Sequence, residues 1–593
     1  MNRGKSRAIR FVTLSACPSL PAKGMAALCG DIGSCFGLGP RLPVAGAGSG
    51  GWHIRELPVH GTHTTVTGEA ETPVKAITRR LRRLEQDQFG RAAPEPERLV
   101  ISTPVWPLNL PESTCLRQAT LPSYTATMHH SSGRFPIILA LCAVTVIRAP
   151  AQTFTNLTTF SFGTGIGPSI SVAQGLDGNL YGTTVAAGKP SGAGNGTFFK
   201  ITPSGTFTKL LLFTTQNRCQ NNPTGPVPAT NGLFYGGTDG SGTTTGYGTI
   251  FQVTPSGKLT TLHTFDNTDG DCPLPALVEA INGIFYGTTF IGGTYDGGTI
   301  FQITLAGTFK SLYSFTGGID GFEPDGLVQG ADGNLYGTAQ FGGADGLGAF
   351  FKISLGGAFT SLYSFGSATF DGVFPNPGII EARDGNFYGT TAEGGVNSPW
   401  GTIFKVTSTG TESVLYNFCN LTSCADGSSP AGGLVEATDG NFYGTTLTGG
   451  ANGKGTIFQI TPTGQLSTLY NFCSQPNCPD GYEPLTTLLQ ATDGNFYGTT
   501  HGGNGTVFKL STGLAPFVKP LPISGKVGSA VKILGSNLTG ATSVTFNGAA
   551  ATFTVVSNTE ISTTVPTGAT TGKVQVDTPN GTLSSNGPFR VLP

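Results

Sequence analysis

A stretch of eight residues dominates this chain, because it is written seven times with small variations. Its clearest copy is Asp-Gly-Asn-Phe-Tyr-Gly-Thr-Thr at residues 439–446. Spacing near 50 residues, held this evenly, is typical of repeat proteins in which each copy forms one supersecondary unit. The repeat therefore restricts the possible folds more than any other feature. The tyrosines that mark the copies are 50 to 55 residues apart: Tyr181, Tyr235, Tyr286, Tyr336, Tyr388, Tyr443 and Tyr497.

Each copy predicts four short strands. Asp439-Gly440 and residues 462–464 (Pro-Thr-Gly) are tight-turn signals between extended runs. Adjacent Phe442 and Tyr443 must point to opposite faces of a strand, so both faces of each small sheet are expected to be buried. In the sixth copy the strands are expected at residues 433–437, 442–446, 455–460 and 466–472.

Four-stranded sheets that are buried on both faces and repeated radially are the blades of a β-propeller. A β-solenoid is the alternative, although its turns are usually shorter than this period. The last copy ends at residues 505–510 without a fourth strand, and residues 154–160 match the fourth strand at 359–365. An N-terminal strand that completes the last blade would leave no open sheet edge. The prediction is an all-β chain with a seven-bladed β-propeller, at residues 153–513, closed by an N-terminal strand.

Residues 514–593 form a separate module in this prediction. Their apolar residues alternate in short segments with turns every 8–12 residues, which indicates an immunoglobulin-like β-sandwich. The segments are residues 531–535, 544–546, 552–555, 561–565 and 573–576.

Both regions resemble known families. The C-terminal module resembles the IPT/TIG family of immunoglobulin-like domains, on Ile533-x-Gly535-x-Asn537-Leu538 and Val544-x-Phe546-Asn547-Gly548. The array resembles the bacterial tandem repeat called GloVer or Gloeo/Verruco, on Asp-Gly-Asn-Phe-Tyr-Gly-Thr-Thr, a following Gly-Gly, and Gly-Thr-Ile-Phe-Lys/Gln. The second resemblance implies a bacterial secreted or cell-surface protein, and it implies no defined activity.

The first part of the chain differs from the repeats. Residues 1–127 hold no copy and include a basic run at 79–83, which we interpret as a disordered or mis-assigned extension. A nucleic-acid or membrane patch is the alternative. Residues 128–151 have a short basic start, an apolar run at 135–147 and a small-residue site, as in a signal peptide too short to span a membrane. Cleavage after Ala151 would start the mature chain at Gln152, secreted or on the cell envelope, without a transmembrane span.

Charge argues against nucleic acid as a partner. Residues 152–593 hold 16 Lys and Arg against 25 Asp and Glu, while residues 1–151 hold 17 against 9. The repeats and the module are therefore mildly acidic, and such a surface repels phosphates.

The cysteines predict local disulfides. Cys419 and Cys424 occupy the same loop in one copy as Cys473 and Cys478 in the next. An exported chain meets oxidising conditions, so each pair is expected to be bonded. Zinc bound by both pairs is the alternative. Cys219 and Cys272 lie near the same position in earlier copies and either pair across blades or stay free.

Signals for catalysis and cofactors are few. After the signal peptide the only histidines are His263, at a position where other copies have tyrosine, and His501, in a loop. Paired-histidine zinc motifs and a Gly-x-Ser-x-Gly elbow are absent from the sequence. Repeated acids followed by glycine predict turns, with calcium binding as the alternative. They are Asp320, Asp371, Asp426 and Asp480. No cofactor is expected.

The predicted function is a non-catalytic binding scaffold for an unknown glycan or protein. The alternatives are a secreted lyase or carbohydrate-active enzyme that uses the central channel, and a purely structural envelope protein. In an up-and-down blade, both tight turns lie on one face of the ring and both longer connections on the other. Loops on a rigid scaffold commonly bind partners, and Trp400 and Tyr247 are candidate contacts there. The candidate loops are residues 185–195, 239–247, 392–400 and 419–430.

Overall fold

The computed structural model describes residues 152–168, 171–186, 196–213, 223–238, 246–274 and 277–593. Within these ranges every regular element is a β-strand, apart from one 3-10 turn at Thr422–Cys424. The described residues contain no helix that is long and apolar enough to cross a membrane. The predicted extension, the signal peptide and its Ala151 lie outside the described residues, as do loop residues 187–195 and 239–245.

Seven antiparallel sheets, called blades 1 to 7 in chain order, account for the repeats. The first strand of the chain, β1 (Thr153–Thr159), belongs to blade 7. Blade 1 contains β2 (Ile166–Pro168), β3 (Ala173–Gln174), β4 (Leu180–Ala186), β5 (Thr197–Ile201) and β6 (Phe207–Leu212). Blade 2 contains β7 (Val227–Pro228), β8 (Phe234–Thr238), β9 (Thr249–Val253) and β10 (Leu259–Thr264). Blade 3 contains β11 (Asp271–Pro273), β12 (Val278–Glu279), β13 (Phe285–Ile291), β14 (Thr299–Ile303) and β15 (Phe309–Ser314). Blade 4 contains β16 (Phe322–Gln329), β17 (Leu335–Phe341), β18 (Ala349–Ile353) and β19 (Phe359–Ser364).

Blades 5 to 7 follow the same plan. Blade 5 contains β20 (Gly372–Pro375), β21 (Ile380–Glu381), β22 (Phe387–Gly394), β23 (Thr402–Val406) and β24 (Glu412–Asn417). Blade 6 contains β25 (Ser428–Pro430), β26 (Val435–Glu436), β27 (Phe442–Thr448), β28 (Thr456–Ile460) and β29 (Leu466–Asn471). Blade 7 contains β30 (Leu489–Gln490), β31 (Phe496–Thr500), β32 (Thr506–Ser511) and β1.

The innermost strand of most blades is divided into two short pieces, which the sequence did not predict. In blade 6 both β25 and β26 pair with β27. The expected first strand at residues 433–437 is therefore reduced to β26, and the Asp-Gly-x-x-Pro segment, expected as a connection, supplies β25. Between the two pieces the backbone of Gly433 lies so close to Gly378 of blade 5 that a side chain would not fit.

The core consists of apolar clusters between consecutive blades. Phe442 packs in the cluster between blades 5 and 6, whereas its neighbour Tyr443 packs in the cluster between blades 6 and 7. This confirms that both faces of a blade are buried, because adjacent side chains of a strand point to opposite sides. Another cluster joins Tyr497 and Val507 of blade 7 to Leu180 of blade 1. Contacts thus pass from each blade to the next and from the seventh to the first, unlike those of a solenoid.

The pairing of the N-terminal strand with the last blade is confirmed. Strand β1 pairs antiparallel with β32, with Phe154 opposite Leu510 and Thr159 opposite Thr506. The ring of Phe154 stacks on Tyr470 of blade 6, with 3.9 Å between ring centroids. The N-terminal strand therefore covers an edge of β32 and part of the seam between blades 6 and 7.

The C-terminal module is the predicted β-sandwich. One sheet contains β33 (Lys519–Leu521), β35 (Ala530–Leu534), β38 (Phe553–Val555) and β39 (Glu560–Thr564). The other contains β36 (Ser543–Phe546), β37 (Ala549–Ala550), β40 (Val574–Thr578) and β41 (Gly581–Ser584), while β34 (Ser524–Lys526) pairs in parallel with β42 (Arg590–Leu592). Ile533, Val544, Ile561 and Val576 lie in its buried core.

Candidate functional site

The Asp-Gly-Asn motif builds one face of the ring, which we call the tight-turn face. In blade 6, Asp439 Oδ1 accepts from the backbone N–H of Asn441 at 3.1 Å, and its Oδ2 accepts from the Tyr443 hydroxyl at 2.9 Å. Burial raises the pKa of Tyr443, and the neighbouring Asp439 carboxylate raises it further. The motif therefore makes a turn and anchors a buried tyrosine, which is the structural role that its repetition predicts.

Side chains that were not predicted as functional from the sequence connect consecutive turns by hydrogen bonds. Six inner strands carry a glutamate or glutamine three residues before the turn Asp or Asn, and we call these six residues the cap ring. Each accepts a hydrogen bond of 2.8–3.1 Å from a backbone N–H in the preceding blade. The bond from Thr492 to Gln174 links blade 7 to blade 1. The cap ring consists of Gln174, Glu279, Gln329, Glu381, Glu436 and Gln490.

The C-terminal module packs against this same tight-turn face. Its contacts reach blades 1, 4, 5 and 6, so they extend across the ring and are not confined to the adjoining blade 7. A cleft of about 370 Å³, lined in part by Asp439 and Lys573, lies between the module and the turns. The contacts are Arg590 Nη2 to Glu381 Oε2 at 2.9 Å, Arg590 Nη1 to the Gly330 carbonyl at 3.0 Å, Asn586 Nδ2 to the Glu436 carbonyl at 2.9 Å, and Thr559 Oγ1 to the Leu176 carbonyl at 2.7 Å.

Charged groups at this interface are partly shielded from solvent. Burial lowers the pKa of Lys573, and nearby Arg383 lowers it further. Burial also raises the pKa of Glu436, although Arg383 opposes that shift. The guanidinium of Arg383 contacts both the Ala437 carbonyl and the Asn586 side chain. Partly buried ionic groups with specific partners fix an orientation, since they are costly to leave unpaired. These contacts favour one orientation of the module on the turns.

The longer connections form the opposite face, which we call the variable face. Its turns are organised by the repeated acids: Asp426 is fully buried and accepts from the Tyr416 hydroxyl and the backbone N–H of Asn420. The same hydrogen bond recurs in other connections, where the hydroxyl of a tyrosine in the preceding outer strand donates to Asp320, Asp371 or Asp480. The acids therefore act as turn supports. The described part of the variable face comprises residues 160–165, 246–248, 265–271, 292–298, 315–323, 342–348, 365–373, 393–401, 418–427, 449–455, 472–483 and 501–505.

Two connections of the variable face carry bonded cysteine pairs. Cys419 is bonded to Cys424 and Cys473 to Cys478, with Cα atoms 4.0 and 4.1 Å apart. Each disulfide lies in a connection between two consecutive blades. Each joins two cysteines that are five residues apart, as the repeated spacing in the sequence predicts. Cys272 is half-buried in β11, and Cys219 lies outside the described residues.

The variable face exposes large apolar side chains on four consecutive blades. Tyr295 is 61% exposed, Phe370 is 61% exposed and Ile319 is 68% exposed. Val396, Trp400 and Leu421 are exposed in neighbouring loops. Elsewhere in the described propeller only Leu212, at the end of β6, and Leu305, in a turn between strands three and four, are large apolar residues of this kind. Exposed apolar residues concentrated in one region are typical of an interaction surface.

The two aromatic residues singled out from the sequence differ in position. Trp400 is exposed, and its carbonyl accepts from the backbone N–H of Ser429 in the next link. Tyr247 is half-buried and packs against the apolar cluster between blades 2 and 3. Trp400 is therefore available at the surface, whereas Tyr247 contributes mainly to packing. Tyr295, Ile319 and Phe370 were missed, although each lies beside an acid in a long connection, where the sequence could have indicated it.

The two histidines of the repeats lie in different blades, His263 in blade 2 and His501 in blade 7. His263 Nε2 lies 2.8 Å from Asp269 Oδ2, and its ring stacks on Phe309. The equivalent Tyr313 bonds Asp320 and stacks on Phe359. His501 donates its backbone N–H to the Glu483 carbonyl. Across the described ranges, no group of three or more His, Cys, Asp or Glu residues is placed to hold a metal ion.

The seam between blades 4 and 5 contains two acids close together, the buried Asp371 and the half-buried Glu412. Tyr363 donates its hydroxyl to Asp371 at 2.6 Å. Glu412 begins β24 at the position where Phe309 and Phe359 begin the outer strands of blades 3 and 4. Burial raises the pKa of Glu412 to about 8, and the Asp371 carboxylate raises it further. Glu412 therefore holds a proton over much of the neutral range.

Solved structures similar to the chain include extracellular domains and a gluconolactonase. The extracellular domain of a proposed one-component system of B. thetaiotaomicron is 12% identical with a TM-score of 0.39, covering 75% of this chain and 58% of that one. PorZ of Porphyromonas gingivalis, a surface component of the type-IX secretion system, is 14% identical with a TM-score of 0.38, covering 70% and 58%. A gluconolactonase of Xanthomonas campestris is 11% identical with a TM-score of 0.33, covering 59% and 98%. The chain spans little more than half of the first two structures.

Sequence families give a more specific result. No curated protein matches the chain in sequence. The IPT/TIG domain matches residues 518–591. The Gloeobacter/Verrucomicrobia repeat matches residues 143–326 and 281–510, more than half of the chain. The protein therefore belongs to the Gloeobacter/Verrucomicrobia repeat family and carries an IPT/TIG domain after its repeats.

Proposed function

We propose that this chain is a secreted or cell-surface binding protein that holds a protein or glycan partner on its variable face. One observation carries the proposal: the exposed apolar side chains of blades 3 to 6 lie on the variable face, while the chain's own IPT/TIG domain occupies the tight-turn face. A partner that approaches the ring face-on therefore meets the variable loops.

The construction of the variable face supports a binding role. Its loops are held by buried supports such as Asp426 and by the Cys419–Cys424 bond, so exposed side chains are presented on fixed backbone. A preorganised surface loses less conformational entropy when it binds. Exposed aromatic residues such as Trp400 and Tyr295 supply large contact areas with few rotatable bonds. The predicted signal peptide and the bonded cysteines support export.

The proposal is tested with two matched variants. Phe370→Ser removes an exposed apolar residue from the variable face, and Leu305→Ser removes one from a tight turn. The purified chain is applied to a glycan array and to a displayed peptide library, and ligands of the wild type are measured again with each variant. Binding should weaken for Phe370→Ser and stay unchanged for Leu305→Ser. Equal losses, or a loss with Leu305→Ser alone, would contradict the assignment of the binding face.

A further inference from the structure

The described residues of the variable face carry mostly negative charge, although the sequence of its remaining loops adds Lys189 and Arg218. Eight acidic side chains of its described residues are exposed or half-buried, whereas Lys454 is the single lysine or arginine among them. Another cation, Lys209 of β6, reaches the Gly163 carbonyl at the margin near blade 1. By contrast, Arg383, Lys573 and Arg590 lie at the tight-turn face. The eight acids are Asp266, Asp269, Asp271, Asp296, Glu323, Asp345, Glu393 and Glu483.

These acids are interleaved with the exposed apolar residues of blades 3 to 5. Tyr295 and Asp296 are adjacent in one loop. The backbone N–H of Gly343 donates to the Gly318 carbonyl at 3.0 Å, which places the link carrying Ile319 beside the loop carrying Asp345.

A second such junction lies on blade 5. The N–H of Gly395 donates to the Asp371 carbonyl at 2.8 Å, which places Phe370 beside the loop that carries Val396. Glu393 is exposed at the start of the same loop. The surface thus alternates apolar and acidic groups over neighbouring loops.

We propose that the variable face binds a basic polypeptide segment, in which lysine or arginine side chains alternate with apolar ones. The inference rests on the proposed function, because it names the partner of the same face. Apolar residues of the segment contact Tyr295, Ile319 and Phe370, and its cations lie near Asp296 and Asp345. Complementary charge speeds association and fixes register, while buried apolar anchors supply most of the affinity.

Other partner classes match this surface less well. Nucleic acids and anionic lipid surfaces carry phosphates, which the eight acids among the described residues of this face repel. An uncharged glycan can stack on Trp400, yet it gains no Coulomb attraction from the acids. A basic polypeptide uses both features of the surface at once.

The test uses the purified chain and short synthetic peptides that share one set of apolar residues. Three peptides are compared: the remaining positions are lysine and arginine in the basic peptide, serine in the second and glutamate in the third. Uncharged oligosaccharides are tested as a further probe. Asp296→Asn with Asp345→Asn removes two acids from the variable face. Ser256→Lys with Ala306→Lys makes the same change in net charge on exposed tight turns. Asn suits the left-handed backbone of residue 296, whose φ is 59°.

The basic peptide should bind best, and its affinity should fall as salt is raised. The Asp296→Asn, Asp345→Asn variant should bind it about threefold to tenfold more weakly, as expected for two surface charges. The Ser256→Lys, Ala306→Lys variant should bind like the wild type. Failure of the basic peptide to bind the wild-type chain overturns the inference.

Two further outcomes separate the inference from the proposed function. In the first outcome, an oligosaccharide or the serine peptide binds best, its binding is unaffected by the two Asn substitutions, and its binding is lost with Phe370→Ser. The proposed partner class is then wrong, but the proposed binding face is supported. If the two lysine substitutions weaken peptide binding as much as the two Asn substitutions, both the inference and the face are wrong.

Discussion

Arg590 is expected to hold the IPT/TIG domain on the propeller. Its guanidinium donates to Glu381 Oε2 at 2.9 Å and to the Gly330 carbonyl at 3.0 Å, and the two side chains of the ion pair are 27% and 13% exposed. Charge-assisted hydrogen bonds are worth about 1.5–3 kcal/mol each when buried and less when solvent reaches them. Arg590→Met should therefore weaken docking of the domain by about 2–4 kcal/mol.

A double-mutant cycle isolates the ion pair from the other contacts. Glu381→Met also removes the hydrogen bond from the Ala331 N–H, but that loss is common to both arms of the cycle and cancels. We expect a coupling energy of about 1–2 kcal/mol between Arg590 and Glu381. The readout is hydrogen exchange of the amides in β35 and β39, together with proteolysis of the segment at residues 512–518.

The domain offers its own control. Lys532 and Glu560 form an ion pair of 3.2 Å inside the domain, with Lys532 36% exposed. Surface pairs of this kind contribute about 0.2–1 kcal/mol, and Lys532→Met should leave cleavage of the segment at 512–518 unchanged. A coupling for Arg590 and Glu381 no larger than that of the control pair would refute the reasoning.

Deleting residues 152–160 should expose the edge of β32 and cause aggregation, detected by light scattering; a monomeric, equally stable product would contradict it. The pKa of Glu412 is higher in the folded chain than in the unfolded chain, so the folded chain binds a proton there more tightly. The contribution of this proton to the unfolding free energy is fully present below about pH 4.5 and is lost as pH rises through about 8. Glu412→Gln should therefore flatten the pH dependence of the unfolding temperature over this window; an unchanged profile would refute the linkage. Peptide mapping without reduction should find Cys473 bonded to Cys478, and replacing both with serine should cost about 2 kcal/mol of unfolding free energy; free thiols at both positions would reject the bond.

Local signals predicted most of the fold. The contact between Asp439 and Tyr443 spans only four residues, and the same pair recurs in five of the seven copies. One short motif therefore specifies both the turn and the strand after it. The match between residues 154–160 and 359–365 predicted the N-terminal strand because equivalent strands carry equivalent sequences. The divided inner strand was missed because β25 and β26 are defined by partners on β27, and the sequence of a segment this short does not reveal its partner.

The candidate site was less predictable because its contacts lie between elements distant in sequence. Glu436 is visible as a repeated acid three residues before the turn, yet its bond to Arg383 of the preceding blade appears only after folding. The position of the IPT/TIG domain depends on Arg590 and Glu381, which are 209 residues apart. The longer connections had already indicated the binding face, whereas the placement of the IPT/TIG domain on the opposite face required the structure.

The cap ring has one gap, and the gap has a mechanical consequence. Pro228 occupies the cap position in blade 2 and carries no side-chain acceptor, so the seam between blades 1 and 2 lacks the bond that spans the other six seams. When a ring of similar blades is placed under tension, it is expected to open at a seam that lacks one of the bonds present at the others. Under tension the blades should part first between β3 and β7. A propeller held by one blade and pulled by another would then yield at a fixed position, two blades away from the seam that the N-terminal strand covers.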